Sequence, residues 1–163
     1  MSAEKPVAVI DTDVASFMLK SLPIGWEYAR LIAGFKASVS FITAGELLFG
    51  AESRSWGSRR RLSLDLFLSE RAVMPFQAGM ERLFARIMAE RERMGRRMEK
   101  ADAWIATTAI FHDAPLVTHD GDVRDTRGLR IVTASKEART AQVRMPVVSG
   151  RPLNLDMRCQ CSM

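Results

Sequence analysis

The stretch Pro6-Val7-Ala8-Val9-Ile10-Asp11-Thr12-Asp13 limits what this chain can fold into more than any other. Its four consecutive apolar residues, two valines and an isoleucine among them, read as a strand buried on both faces. Such a strand belongs at the centre of a parallel sheet covered by helices. It stops abruptly at Asp11, with Asp13 just beyond. In open α/β sheets, ligands bind outside the carboxyl ends of the strands, near the point where the topology reverses. Asp11 is therefore a candidate for chemistry.

The rest of the chain alternates in the way such a strand requires. Asp13 is available to cap a short helix over 14–20. Residues 22–25 interrupt the pattern, and a helical one resumes over 26–34. A second strand is expected over 37–42, followed by a helix from Ala44 to Glu52 with Leu47, Leu48 and Ala51 on one face. A longer helix covers 58–69, and a third strand 72–76, with Pro75 near its end, where it does least harm. Residues 77–95 form an amphipathic helix, with Met80, Leu83, Phe84, Ile87 and Met88 at helical spacing. The helix over 99–113 is apolar around most of its circumference and should be buried. Strands follow over 115–118 and 129–133. Alternating strands and helices argue for a parallel sheet with right-handed crossovers.

The 163 residues suit one domain, expected over 1–133, with an ordinary globular composition. No run approaches the roughly 18 apolar residues of a membrane span, and residues 1–6 are too polar for a signal peptide. A cytoplasmic, membrane-independent protein is expected. The net charge is +5. Residues 134–163 hold Lys136, Arg139, Arg144, Arg151 and Arg158 against Glu137 and Asp156, and so account for more than half of it. That segment, which also holds Pro146, Gly150 and Pro152, reads as a basic, partly disordered tail. Its Cys159 and Cys161 lack a second ligand pair for zinc and read as idle thiols.

Five acids occupy strand ends or helix starts: Asp11, Glu46, Asp102, Asp120 and Asp122. Each has a local explanation. Glu46 follows Thr43 at capping-box spacing, Asp102 complements a helix dipole, and Asp120-Gly121 can be a turn. Collectively they point elsewhere, because a parallel sheet gathers them at one edge. Like charges at close range repel by about 4 kcal/mol per pair at an effective dielectric near 20. A fold tolerates that when some are protonated or a cation neutralises them. All-oxygen donors favour Mg²⁺ or Mn²⁺, which is the pattern of metal-assisted phosphodiester chemistry.

These residues resemble the PIN-domain ribonucleases, and within them the VapC-type toxins. The likeness runs through Val9-Ile10-Asp11-Thr12-Asp13 and Thr43-Ala44-Gly45-Glu46-Leu47-Leu48-Phe49-Gly50-Ala51. It continues through Ala101-Asp102-Ala103-Trp104-Ile105-Ala106 and Pro115-Leu116-Val117-Thr118-His119-Asp120-Gly121-Asp122-Val123. Asp13 stands where many members have Asn, Val123 where Phe is usual, and the tail is longer than is typical. The resemblance implies an α/β/α sandwich of four to five strands, a homodimer, and Mg²⁺- or Mn²⁺-dependent endoribonuclease activity on transfer, messenger or ribosomal RNA. It also implies a cognate antitoxin that blocks the site. Asp11, Asp102 and Asp120 would hold the metal, with Asp122 as an added or second-metal ligand. Glu46 would position or deprotonate the attacking water, and Thr118 would orient a neighbouring carboxylate. Asp13 would add charge to the site, while His119 reads as an exposed bystander. Two basic runs are available for RNA: Arg54, Arg59, Arg60 and Arg61, and then Arg91, Arg93, Arg96 and Arg97 beside Lys100. Arg93, Arg96, Arg97 and Lys100 are favoured because they neighbour Asp102 in sequence.

Two other readings compete. In a haloacid-dehalogenase-type phosphatase, Asp11-Thr12-Asp13 would be the opening motif, but Ala15 stands where that family wants Thr or Val. No lysine precedes Pro115–Thr118, and Glu46 and Asp102 would have no role. A catalytically silent RNA- or protein-binding module would have no use for the complete acid set. Deleting residues 145–163 should lower RNA affinity while leaving the melting temperature nearly unchanged. A large drop in thermal stability with unaltered RNA titrations would mean that the tail docks on the domain.

Overall fold

The computed structural model describes residues 4–135, so all but the first two residues of the tail, its cysteines included, lie outside the described residues. The central strand forms as its sequence requires. β1 (Val7–Ile10) pairs in parallel with β2 (Lys36–Ser40) on one side and β4 (Leu116–Val117) on the other. β3 (Ala72–Met74) adds beyond β2, and β5 (Ile131–Val132) beyond β4. The order is β3-β2-β1-β4-β5, parallel throughout. Chain direction across the sheet reverses between β1 and β4, so their carboxyl ends flank the switch point.

Successive strand residues face opposite ways, and β1 feeds two cores. Ala8 and Ile10 pack with Val14, Tyr28, Leu47, Leu64 and Phe67, which come from α1 (Thr12–Leu19), α2 (Pro23–Leu31), α3 (Phe41–Ser53) and α4 (Ser58–Ser69). Val9 packs with Ile87, Ala103, Ile105 and Ala109 on the other face, from α5 (Met80–Arg93) and α6 (Lys100–Phe111). Phe84 stacks on Trp104 there, with ring centroids 4.2 Å apart. The result is a three-layer α/β/α sandwich. Among the described residues no helix is long and apolar enough to cross a membrane.

Three helix starts differ from the sequence reading. Asp11 rather than Asp13 caps α1, accepting the Val14 amide at 2.8 Å, and Asp13 falls in the first turn. The capping box at Thr43 and Glu46 does not form. Ser40 caps α3 by accepting the Thr43 amide at 3.0 Å, which leaves Glu46 free for another partner. Pro23, read as a break, opens α2, where its missing N–H costs nothing.

Gly25 lets α2 lie against α1. A Cβ at this position would meet the Phe17 carbonyl oxygen at 2.4 Å, whereas one at Gly34 would meet nothing within 4 Å. Gly25→Ala should therefore destabilise the protein by about 1–3 kcal/mol through overpacking. Urea unfolding should show that loss, with Gly34→Ala close to wild type.

Candidate active site

Asp11 ends β1 and is only 7% exposed. Its neighbour across the switch point is Thr118, just past β4. Asp11, Asp102, Thr118 and Asp120 line one narrow crevice, floored by Ile105, Leu116 and Val123. Asp102 reaches it from the first turn of α6. Glu46 on α3 and Asp13 on α1 are near enough for their charges to act on Asp102. Asp122 is exposed on the rim, where it shares a hollow of about 260 Å³ with Arg97, Met98, Glu99 and Asp102.

Hydrogen bonds set the positions of these groups. The Asp120 amide donates to Thr118 Oγ1 at 3.0 Å, and the Asp122 amide to Asp120 Oδ1 at 2.9 Å. The Thr118 hydroxyl also acts on Asp11, so one side chain ties the two strand ends together. Three supporting residues were not legible as such. Thr12 donates its hydroxyl to the Glu46 carboxylate. Tyr28, the one tyrosine of the chain, is fully buried and donates to the Thr118 carbonyl at 3.0 Å. Arg91 is 4% exposed and donates to the Asp122 carbonyl at 2.7 Å. Its signal was present in the sequence: spacings of seven and four place it on the buried stripe of Met80 and Ile87.

His119 is not the exposed side chain expected. It is half-buried, with Nδ1 2.9 Å from the Tyr28 hydroxyl and its ring edge-on to Phe17. The arginines of the second basic run separate. Arg93 donates back to the Ala89 carbonyl, Arg96 is paired with Asp125, and Arg97 faces the acidic hollow. Lys100 is exposed at the start of α6. In the first run, Arg61 is bound to Glu52.

Burial pushes the Asp11 carboxyl up to about 7; Thr118 and the Val14 amide favour its charged form, and Asp13 adds repulsion. Asp102 is pushed up to about 6, first by burial and then by Asp120, Glu99, Glu46 and Asp13. Among the described residues, none of Asp11, Asp13, Glu46, Asp102, Asp120 or Asp122 has a lysine or arginine at ion-pair distance. The donor set therefore suits a hard divalent cation. The side chains converge without closing: among the described residues, no three stand close enough to grip an ion as they are.

The PIN domain family model matches residues 8–129. The chain is 31% identical over 134 residues to VapC ribonuclease Y4jK of Sinorhizobium fredii, covering 76% of this chain and 94% of that protein. The fold matches VapBC2 from Rickettsia felis bound to a promoter DNA fragment, with a TM-score of 0.71 at 22% identity, over 78% of this chain and 98% of that one. DNA-bound VapBC from Salmonella typhimurium matches with a TM-score of 0.70 at 25% identity and the same coverage. The chain belongs to the PIN-domain family, in its VapC branch. The phosphatase reading falls with this: Asp102, idle in that reading, lines the crevice with Asp11, and Glu46 is near enough to act on Asp102.

An acid whose carboxyl is raised on folding stabilises the protein at low pH, and that stability is lost as pH rises from the ordinary carboxylate range through the folded value. For Asp11 the window runs from 3.8 to about 7. With chelator present, Asp11→Asn should melt several degrees above wild type near about pH 8, and the gap should narrow steadily and close toward about pH 4. Melting curves that stay parallel across this range would refute the buried-charge account of Asp11.

Proposed function

We propose that this chain is the endoribonuclease toxin of a toxin–antitoxin pair, cutting RNA phosphodiester bonds with Mg²⁺ or Mn²⁺. The observation that carries the reading is the convergence of carboxylates from β1, α3, α6 and the loop after β4, with no lysine or arginine at ion-pair distance among the described residues. Asp11, Asp102 and Asp120 would hold the cation, joined from the rim by Asp122. When bound, it supplies positive charge against the phosphate and makes the attacking water more acidic. Glu46, oriented by the Thr12 hydroxyl, takes the proton from that water. Thr118 keeps Asp11 and the Asp120 backbone in fixed relation. Arg97, beside Asp102 and Asp122, meets a phosphate of the substrate that an acidic rim would otherwise repel. A protein antitoxin is the natural partner of such a site.

The purified chain should cleave RNA with Mg²⁺ or Mn²⁺ and stop when chelator is added. Asp102→Asn should abolish cleavage with the fold intact, and Glu46→Gln should slow it by about a hundredfold or more. Full nuclease activity in a folded Asp11→Asn, Asp102→Asn double variant would refute the site assignment.

A further inference from the structure

The loop after β4 carries two of the acids but receives little backbone support from its neighbours. Its entry is secured by Thr118, whose amide pairs with the Val132 carbonyl and whose own carbonyl accepts from Tyr28. The His119 amide also bonds the Asp11 carboxylate, and beyond these ties the backbone bonds of residues 120–126 are local. Besides the Asp120 and Asp122 amide bonds, Arg124 N–H donates to the Gly121 carbonyl and Thr126 N–H to the Val123 carbonyl, each at 3.2 Å. Local turns fix the shape of a loop but not where it stands against the rest of the protein. That placement depends on side chains. Val123 is 3% exposed in the core formed with α5 and α6, and Arg91 reaches across from α5 to the Asp122 carbonyl. Arg96 makes a second tie at the surface through Asp125.

Arg91 is an unusual way to hold a loop. Nε and Nη1 of its buried guanidinium have no acceptor among the described residues. A buried arginine with idle donors costs stability, and an apolar residue of similar volume is often neutral or stabilising in its place. Packing alone therefore does not account for the residue. We propose that Arg91 is a positioning residue for the acidic site: by holding the Asp122 carbonyl, it sets where Asp120 and Asp122 stand relative to Asp102. The inference rests on reading those acids as cation ligands. It makes α5, which contributes no ligand of its own, a determinant of cation affinity.

The test uses the full chain without RNA, as wild type, Arg91→Met and Arg91→Lys. Free Mn²⁺ is followed by electron paramagnetic resonance during titration, beside amide hydrogen exchange of residues 119–126 and thermal melts. Arg91→Met should weaken Mn²⁺ binding by about tenfold or more, the usual effect of removing a group that orients metal ligands. It should also speed exchange in the loop while the melting temperature holds or rises. Arg91→Lys, which keeps a donor, should recover part of the affinity. Wild-type Mn²⁺ affinity in Arg91→Met overturns the proposal. If Arg91→Met fails to fold, the lysine variant decides: intermediate affinity supports the proposal and wild-type affinity overturns it. If the wild-type chain binds no Mn²⁺, the cation reading itself fails. Loop exchange then decides on Arg91, with faster exchange in the variant supporting the positioning role and unchanged exchange overturning it.

Discussion

Asp11 holds a carboxylate at the end of a strand flanked on both sides by hydrogen-bonded neighbours, where little water reaches it. An unpaired charge there is costly unless something neutralises it. Among the described residues, no arginine or lysine stands at ion-pair distance from it. The protein places further acids around the first, so the unfavourable interaction grows. Burial and repulsion together raise Asp11 and Asp102 toward neutrality. Charge of the opposite sign is what this cluster of oxygen donors lacks among the described residues.

The sheet does the assembling. Parallel strands put their carboxyl ends on one edge, and the reversal between β1 and β4 opens that edge where Asp11 and Thr118 meet. α3 and α6 then bring Glu46 and Asp102 to the same place from opposite layers of the sandwich. Because α3 is capped by Ser40, the Glu46 carboxylate does not turn back on its own helix. It reaches Thr12 instead, which couples the start of α1 to the second turn of α3.

The sequence was readable wherever one residue's pattern decided the outcome. The apolar run of β1 and the stripe of α5 each had one consistent placement, and the acids followed from where their elements ended. It was less readable where two local solutions were equally good. Asp11 and Asp13 could both cap α1, and only the direction of the preceding strand favours the first. Thr43 and Glu46 satisfied a capping box on paper, but Ser40 lies where the strand already ends. Arg91 and Tyr28 were missed for a different reason: a polar side chain on an apolar stripe declares its burial but not the group it binds. Both partners are backbone carbonyls of the loop after β4, which no side-chain pattern encodes.

The long path from Asp11 to Asp120 has a consequence for the life of the chain during synthesis. Asp11 and Glu46 leave the ribosome early, and Asp102 much later. The crevice has no second wall until β4 has paired beside β1 and its loop has closed. Tyr28 and Arg91, made well before that loop, have nothing to hold until it appears. A truncated chain ending ahead of β4 carries Asp11, Glu46 and Asp102 but no crevice.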